Sequence, residues 1–465
     1  MFAESATGLP GLYVADDSVT ASSQWATPAV DWGFLIVPQE VMNNQVYHYE
    51  RGKTLGGSSA QNSMIYNRGT KDCYGGWANA TGDASWVWDS LLPLFTRGIN
   101  YTGTESQTLG VSNAPVQLSF PNFALPFSSY TAEGFREIGV PKVQSLIGGE
   151  LLDSQYNPFT INPTEATRDS SQASFLEASM TAGRNNLKAY THSLARKVLC
   201  SQNSTSSRAA GVQVIFGNAP PFTLSATKEV IASAGAIQSP QLLIASGIGP
   251  QSTLDQYNIS TIVNSPGVGQ DLWEHALVLL SQTSISEGFG RLNDPEYAEQ
   301  QRMAYYANQT GEAAQELDEM FPLDWPELER EIASAEKTPG STVNIGTIIQ
   351  SLVSPLSRGN ISIRSTSMLD PPIIDLNRLS HPTDQKLAAQ SFRRMRQLFN
   401  TTAIKPILAG EEVPGPNVQA DEQILEYIES TVAFNWHAAC TCKMGAWNDT
   451  MASLDSGAKV KVWRA

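Results

Sequence analysis

The sequence predicts a mixed α/β (α+β) fold, and three observations carry that prediction. Between Leu187 and Ser233, short β-prone runs separated by polar turns form a meander that feeds a helix starting near Ser239. Further on, strand-like runs at Val343 to Leu352 and Ile361 to Arg364, joined through Ser357-Arg-Gly359, precede a helical stripe of Ala388, Phe392, Met395 and Phe399. Ahead of both, Arg51 to Thr70 set a Gly-Gly corner and several hydroxyls before a segment that can turn helical. At 465 residues the chain has room for two or three cores, or for two intertwined domains.

Taken in order, residues 1–50 carry Gly, Pro and aromatics without a clear period and read as irregular chain with one short strand at Phe34 to Val37. From Trp77 to Pro163 the chain reads as loop-rich cover with a helix around Tyr130 to Ile138, and Asp169 to Ala182 reads as a helix with Phe175, Leu176 and Met180 on one side. The meander comprises Leu187 to Tyr190, Leu194 to Leu199, Val212 to Phe216, Phe222 to Ala226 and Glu229 to Ser233. Ser239 then caps a helix whose first residue is Pro240, where a missing N–H costs nothing, and Gly247 ends it left-handed. Residues 291–337 are acidic and read as helical with a solvated face. In the stripe at residues 388–399, Arg393, Arg394 and Arg396 are expected to face solvent.

Composition excludes several function classes. A net charge of −15 repels phosphate backbones, so nucleic acid is not an expected partner. No run approaches the length of a membrane span, and Met1 to Gly8 has neither the basic start nor the apolar core of a signal peptide. Cys73, Cys200, Cys440 and Cys442 lack paired metal-ligand spacing, so no metal site is expected. Asn-x-Ser/Thr sequons at Asn79, Asn100, Asn203, Asn258, Asn308, Asn360, Asn400 and Asn448 lean towards passage through the secretory pathway.

The chemistry-bearing stretches come in a fixed order. In Leu55-Gly-Gly-Ser-Ser59, backbone N–H groups and hydroxyls can converge on a phosphate or a planar cofactor; taken alone, the same residues also describe an ordinary Gly-rich turn before a helix. Ser233 to Gly249 follows, then Gly267-Val-Gly-Gln-Asp-Leu-Trp-Glu-His275, and finally Asn435-Trp-His-Ala-Ala-Cys-Thr-Cys-Lys-Met-Gly445. Together the four stretches resemble the glucose-methanol-choline (GMC) family of FAD-dependent oxidoreductases.

The resemblance implies an incomplete FAD-binding Rossmann-type domain, residues 1–60, 165–275 and 430–465, intertwined with an antiparallel-sheet substrate domain, residues 61–164 and 276–429. The family's N-terminal region would span about 1–275 and its C-terminal region about 350–465. It implies FAD as cofactor, a small-molecule alcohol as substrate and O2 or a quinone as electron acceptor. Flavin contacts are implied at Gly57, Ser58, Asn62, Ser63, Ile65, Ala195 and Trp436. The form of the last motif is similar to fungal members acting on aromatic or polyketide-derived alcohols. His437 matches the family's catalytic base, and an imidazole suits the task because a hydroxyl gives up hydride only as its proton leaves.

His275, in a segment where Gln270 and Glu274 replace the family's Asn and Asp, is expected to be structural. His48, His192 and His381 receive no role. No Gly-x-Gly-x-x-Gly fingerprint occurs, Gly247-Ile-Gly249 and Gly267-Val-Gly269 reading as turns, and only 28 residues follow His437, where the family has a further His or Asn. The expectation is a chain clipped at both ends, with a non-redox cyclase or lyase, or an inactive product, as the alternatives to an alcohol oxidase or dehydrogenase.

Overall fold

The computed structural model describes residues 28–103, 106–120, 126–142, 145–152, 154–203, 206–284, 297–301, 324–336 and 344–462. Residues 1–27 of the stretch read as irregular lie outside them. The expected first strand is a two-residue piece, β1 (Phe34–Leu35), paired antiparallel with β2 (His48–Tyr49). After the Gly-Gly corner the chain makes a single 3-10 turn, Gly57–Ala60, and does not continue as a helix to Tyr66. Met64 turns left-handed at φ 63°, Ile65 bridges to Phe159, and the Arg168 guanidinium takes the carbonyls of Ser59 and Asn62 that a helix would need for its own ladder.

The cover is more helical than its punctuation predicts. Helix α1 (Lys71–Thr81), capped by the Thr70 hydroxyl on the Cys73 N–H, and α2 (Trp88–Gly98) precede the expected helix, found as α3 (Pro126–Glu137). Gly75, Gly76 and Asn79 in α1 and Pro93 in α2 mask both from a propensity reading; Tyr74, Trp77, Trp86, Trp88 and Phe95, in mutual ring contact, override it. A short strand β3 (Ser154–Tyr156) follows. The helix expected over Asp169 to Ala182 is a π turn, Gln172–Glu177, running into Ala178–Thr181, with Phe175 and Met180 exposed.

The meander reduces to three antiparallel strands, β4 (Ser193–Asn203), β5 (Ser206–Phe216) and β6 (Phe222–Ser225). Leu187 to Tyr190 and Glu229 to Ser233 are not strands: both runs are largely exposed, and β-propensity without a neighbouring ladder does not fix an extended chain. Helix α4 (Gly235–Ala245) starts ahead of Ser239, so Pro240 lies inside it, not at its start. That proline removes the donor for the Ala236 carbonyl, and the Thr441 hydroxyl supplies a replacement at 2.6 Å. The left-handed end at Gly247, φ 89°, is as expected.

The second half is built on an antiparallel sheet of seven strands among the described residues. It comprises β3 with β7 (Ala276–Ser284), β8 (Tyr297–Gln301), β9 (Leu328–Glu336), β10 (Asn344–Leu352) and two strands further on. The acidic stretch is therefore strand at 297–301 and 328–336 with a turn at 324–327, not helix, and Glu327 and Glu329 are buried, not solvated; residues 291–296, 302–323 and 337 lie outside the described residues. A separate hairpin pairs β11 (Asn360–Ser362) with β12 (Ile373–Asp375).

Helix α5 (Pro382–Phe399) buries Ala388, Phe392, Met395 and Phe399 as expected, against Val278, Leu280, Ile348 and Leu352 of the sheet. Arg393 is exposed, but Arg396 turns inward to a shielded ion pair with Glu411 at 2.6 Å, so it does not face solvent. Glu411 lies on β13 (Leu408–Val413), which closes the sheet in the order β13-β7-β10-β9-β8-β3. After α6 (Asp421–Thr431), the two-residue strand β14 (Ala433–Phe434) pairs with the first residues of β7.

The Thr441 bond to Ala236 is buried, so Thr441→Val is expected to cost about 1–2 kcal/mol. A lower urea midpoint at unchanged slope would report it.

Candidate active site

The site is made by a slip in strand register. Ala276 pairs with Phe434, and Trp273 bridges Ala439, so three steps on one segment face five on the other. The two extra residues bulge outward around Trp436, whose φ of 55° is left-handed, and His437 follows at the crest. One side chain catches what the ladder drops. Oε1 of Glu274 accepts the backbone N–H groups of Asn435 at 3.0 Å and His437 at 3.1 Å.

The other oxygen of Glu274 accepts the Tyr49 hydroxyl, which in turn accepts the Ala438 N–H and an Arg51 guanidinium N–H. Arg51 also donates to the Trp436 carbonyl at 2.7 Å, and the Trp436 indole donates to Glu50. The start of the first motif and the last motif are thus bound together through Glu274.

Between them lies a cavity of about 760 Å³. One wall is the first motif, Ser58, Ser59, Asn62, Ser63, Met64 and Ile65; facing it are His275, Asn435, Trp436, His437 and Cys440. A third wall is aromatic, with Trp77, Trp273 and Trp325; the last two stack at 5.6 Å and 11°, and the Arg358 guanidinium covers Trp273 at 4.5 Å. Arg358 is anchored by its neighbours, since buried Asp384 accepts the N–H groups of Leu356 and Ser357.

The electrostatics favour a neutral imidazole. His437 is open to the cavity but ringed by protein, and burial, with Arg51 adding repulsion, holds its pKa down at about 4. His275 is pushed well below the ordinary range by burial and then by His437. The rings meet edge to face, with centroids 4.9 Å apart and Nδ1 to Nδ1 at 2.9 Å. Glu274 and Tyr49 are both shifted upward, chiefly by burial.

Of the residues expected at the site, Ser58, Asn62, Ser63, Ile65, Trp436 and His437 line this one cavity. Gly57, at φ 55°, is not among the lining residues, and a Cβ there would meet nothing within 4 Å among the described residues. Ala195 is not among the lining residues; on β4 it pairs with Val214 of β5 and packs beside Val198, Leu242 and Met368. Gly52 is needed for the corner, because a Cβ there would fall 2.2 Å from the Gly57 carbonyl. His275, expected to be structural, lines the cavity as well. Sequence reasoning gave Arg51, Trp77, Trp273 and Trp325 no role, although Arg51 opens the first motif and Trp273 lies in the third, and it marked Glu274 only as a departure from the family's Asp.

The His437 imidazole shares one cavity with the hydroxyls and amide of the first motif. Residues 11–277 and 355–464 match the two family patterns described as GMC oxidoreductase, and the chain belongs to that family of FAD-dependent oxidoreductases. It is 36% identical to the dehydrogenase pkfF of Emericella nidulans, over 97% of this chain and 79% of the relative. It is also 36% identical to patulin synthase of Penicillium expansum, over 93% and 76%. In fold it is similar to a fungal aryl-alcohol oxidase, with a TM-score of 0.83 at 21% identity, covering 98% of this chain and 86% of that one.

FAD is the family's cofactor, and the polar first-motif wall is chemically suited to holding it. A Cβ at Gly56 would press on Ser170 and Gln172 while one at Gly57 would meet nothing within 4 Å among the described residues, and beyond this corner Ser58, Ser63 and Asn62 put hydroxyls and an amide along the cavity.

Truncating Glu274 to Ala strips the acceptor from two backbone N–H groups and a buried hydroxyl, and is expected to cost about 3 kcal/mol. Glu274→Gln, which keeps one acceptor oxygen, should cost less; chemical denaturation of both variants checks the order.

Proposed function

We propose that the chain oxidises the CH–OH group of a small alcohol, aromatic or polyketide-derived, with His437 as the base. The observation that carries this reading is that His437 opens into the same cavity as the Ser58 to Ile65 wall. When bound, FAD supplies the hydride acceptor. Everything else is the work of the chain. His437, kept neutral, takes the hydroxyl proton as the carbinol C–H bond weakens, and Asn435 and Trp436 are held in place by Glu274 and Arg51 so that the ring keeps its aim.

The aromatic wall of Trp77, Trp273 and Trp325 suits a flat, unsaturated substrate better than a sugar. Patulin synthase is similar over most of this chain, which supports a substrate of that general class. We assign residues 1–60, 165–275 and 430–465 to the cofactor half and 61–164 and 276–429 to the substrate half, with O2 or a quinone as acceptor. Among the described residues no helix is long and apolar enough to cross a membrane. Sequons at Asn79, Asn400 and Asn448 are exposed, which supports secretion.

Replacing His437 with Ala should lower kcat about 100- to 10,000-fold while leaving the bound-flavin spectrum intact. Assays of alcohol consumption with and without an acceptor test the redox reading, and turnover that needs no acceptor would replace it with a non-redox rearrangement. The pH profile follows from the sign of the His437 shift. A base must be unprotonated, so its low pKa predicts a rate that is level down through pH 6.5 and falls only near pH 4. For the secretory assignment, a fungal host should yield protein whose mass drops on glycosidase treatment.

A further inference from the structure

We propose that His275 is the positioning residue of the site. Its Nδ1 accepts the Nδ1–H of His437 and so fixes that ring in the tautomer whose bare Nε2 looks into the cavity. The inference rests on the reading of His437 as base, and it adds the group that makes that base competent.

The geometry leaves few choices. Two imidazole nitrogens 2.9 Å apart must share one proton, since two lone pairs or two N–H groups would repel at that distance. A neutral His437 that accepted at Nδ1 would carry its proton on Nε2 and have no basic nitrogen for a substrate. If it donates at Nδ1, Nε2 is the base. The acceptor is held firmly: His275 lies between the Trp273 bridge to Ala439 and the first β7 pair, Ala276 with Phe434. The 2.9 Å approach sets the two Nδ1 atoms against each other, with the ring planes at 85°, and Nε2 of His437 lies on the other side of its ring from Nδ1.

The charged groups around the pair do other work. Glu274 holds the backbone of His437, not its ring; Glu50 holds the Trp436 indole; Arg51 holds the Trp436 carbonyl; Glu329 lines the cavity. Among the described residues no carboxylate reaches either ring of the pair. Orientation therefore comes from a neutral acceptor, which aims the base without adding a counter-charge that would protonate it early.

In the step, the substrate O–H bond breaks and its electron pair stays on oxygen to form the carbonyl. The proton goes to Nε2 of His437, and FAD, when bound, would supply the two-electron acceptor for the carbinol hydrogen and its bonding pair. His437 becomes an imidazolium that still donates Nδ1–H to His275, and His275 stays neutral throughout.

Nitrogen-15 NMR of the labelled holoprotein tests this without substrate, because the five histidines give few enough signals to assign by variant. Wild type should show His437 with its proton on Nδ1. His275→Phe should move that proton to Nε2 or average the two, and lower kcat about 10- to 100-fold with KM and flavin absorbance unchanged. His275→Asn, whose amide oxygen comes near the place of Nδ1, should restore both the tautomer and most of the rate. A wild-type His437 protonated on Nε2, or a tautomer indifferent to His275→Phe, would overturn the proposal. A chain that shows the Nδ1–H form yet oxidises no alcohol would uphold the pairing and refute only the base assignment.

Discussion

A single carboxylate holds this site in shape. The bulge between Phe434 and Ala439 leaves backbone donors that no strand can satisfy, and an unpaired buried N–H is costly. Glu274 answers two of them with one oxygen and uses the other to draw in Tyr49, and through it Arg51. Without that bracket the extra residues would have no reason to stand out from the sheet, and His437 would lie along a strand instead of over a cavity. The burial that makes a lone carboxylate expensive is offset by a tyrosine hydroxyl, two amides and a nearby guanidinium.

The same bracket joins distant parts of the chain. Arg51 stands at the entry to the Gly-rich corner, while His437 stands at the end of the last strand of the sheet, and both touch the Glu274 network. The corner is kept rigid on its other side by Arg168, which grips the carbonyls of Ser59 and Asn62. Both walls of the cavity are therefore fixed from behind by buried polar contacts, leaving hydroxyls, indoles and two imidazoles to face what enters.

Much of this could be read from the residues and some could not. The meeting of His437 with the Ser58 to Ile65 wall followed from motif order, and the buried stripe of α5 from spacing alone. Helices α1 and α2 were hidden by glycines and a proline whose cost is met by aromatic packing, a tertiary effect that local propensity does not contain. The acidic run misled in a different way. Glu327 and Glu329 read as solvated by charge, yet they flank Leu328 at the head of a central strand, next to an Arg330 that is only 1% exposed and bonded to Gln350. The role of Glu274 was out of reach because its partners lie more than 160 positions along the chain. A substitution of Glu for Asp at that place is a longer arm, and only the fold says what it reaches.

The proline in α4 has one further consequence, for the order in which the molecule can be finished. The Ala236 carbonyl waits on a hydroxyl 205 positions downstream. A nascent chain that has not yet emitted residue 441 holds that helix with an idle acceptor in its first turn. Full pairing of an early helix thus depends on the segment that bears the imidazole.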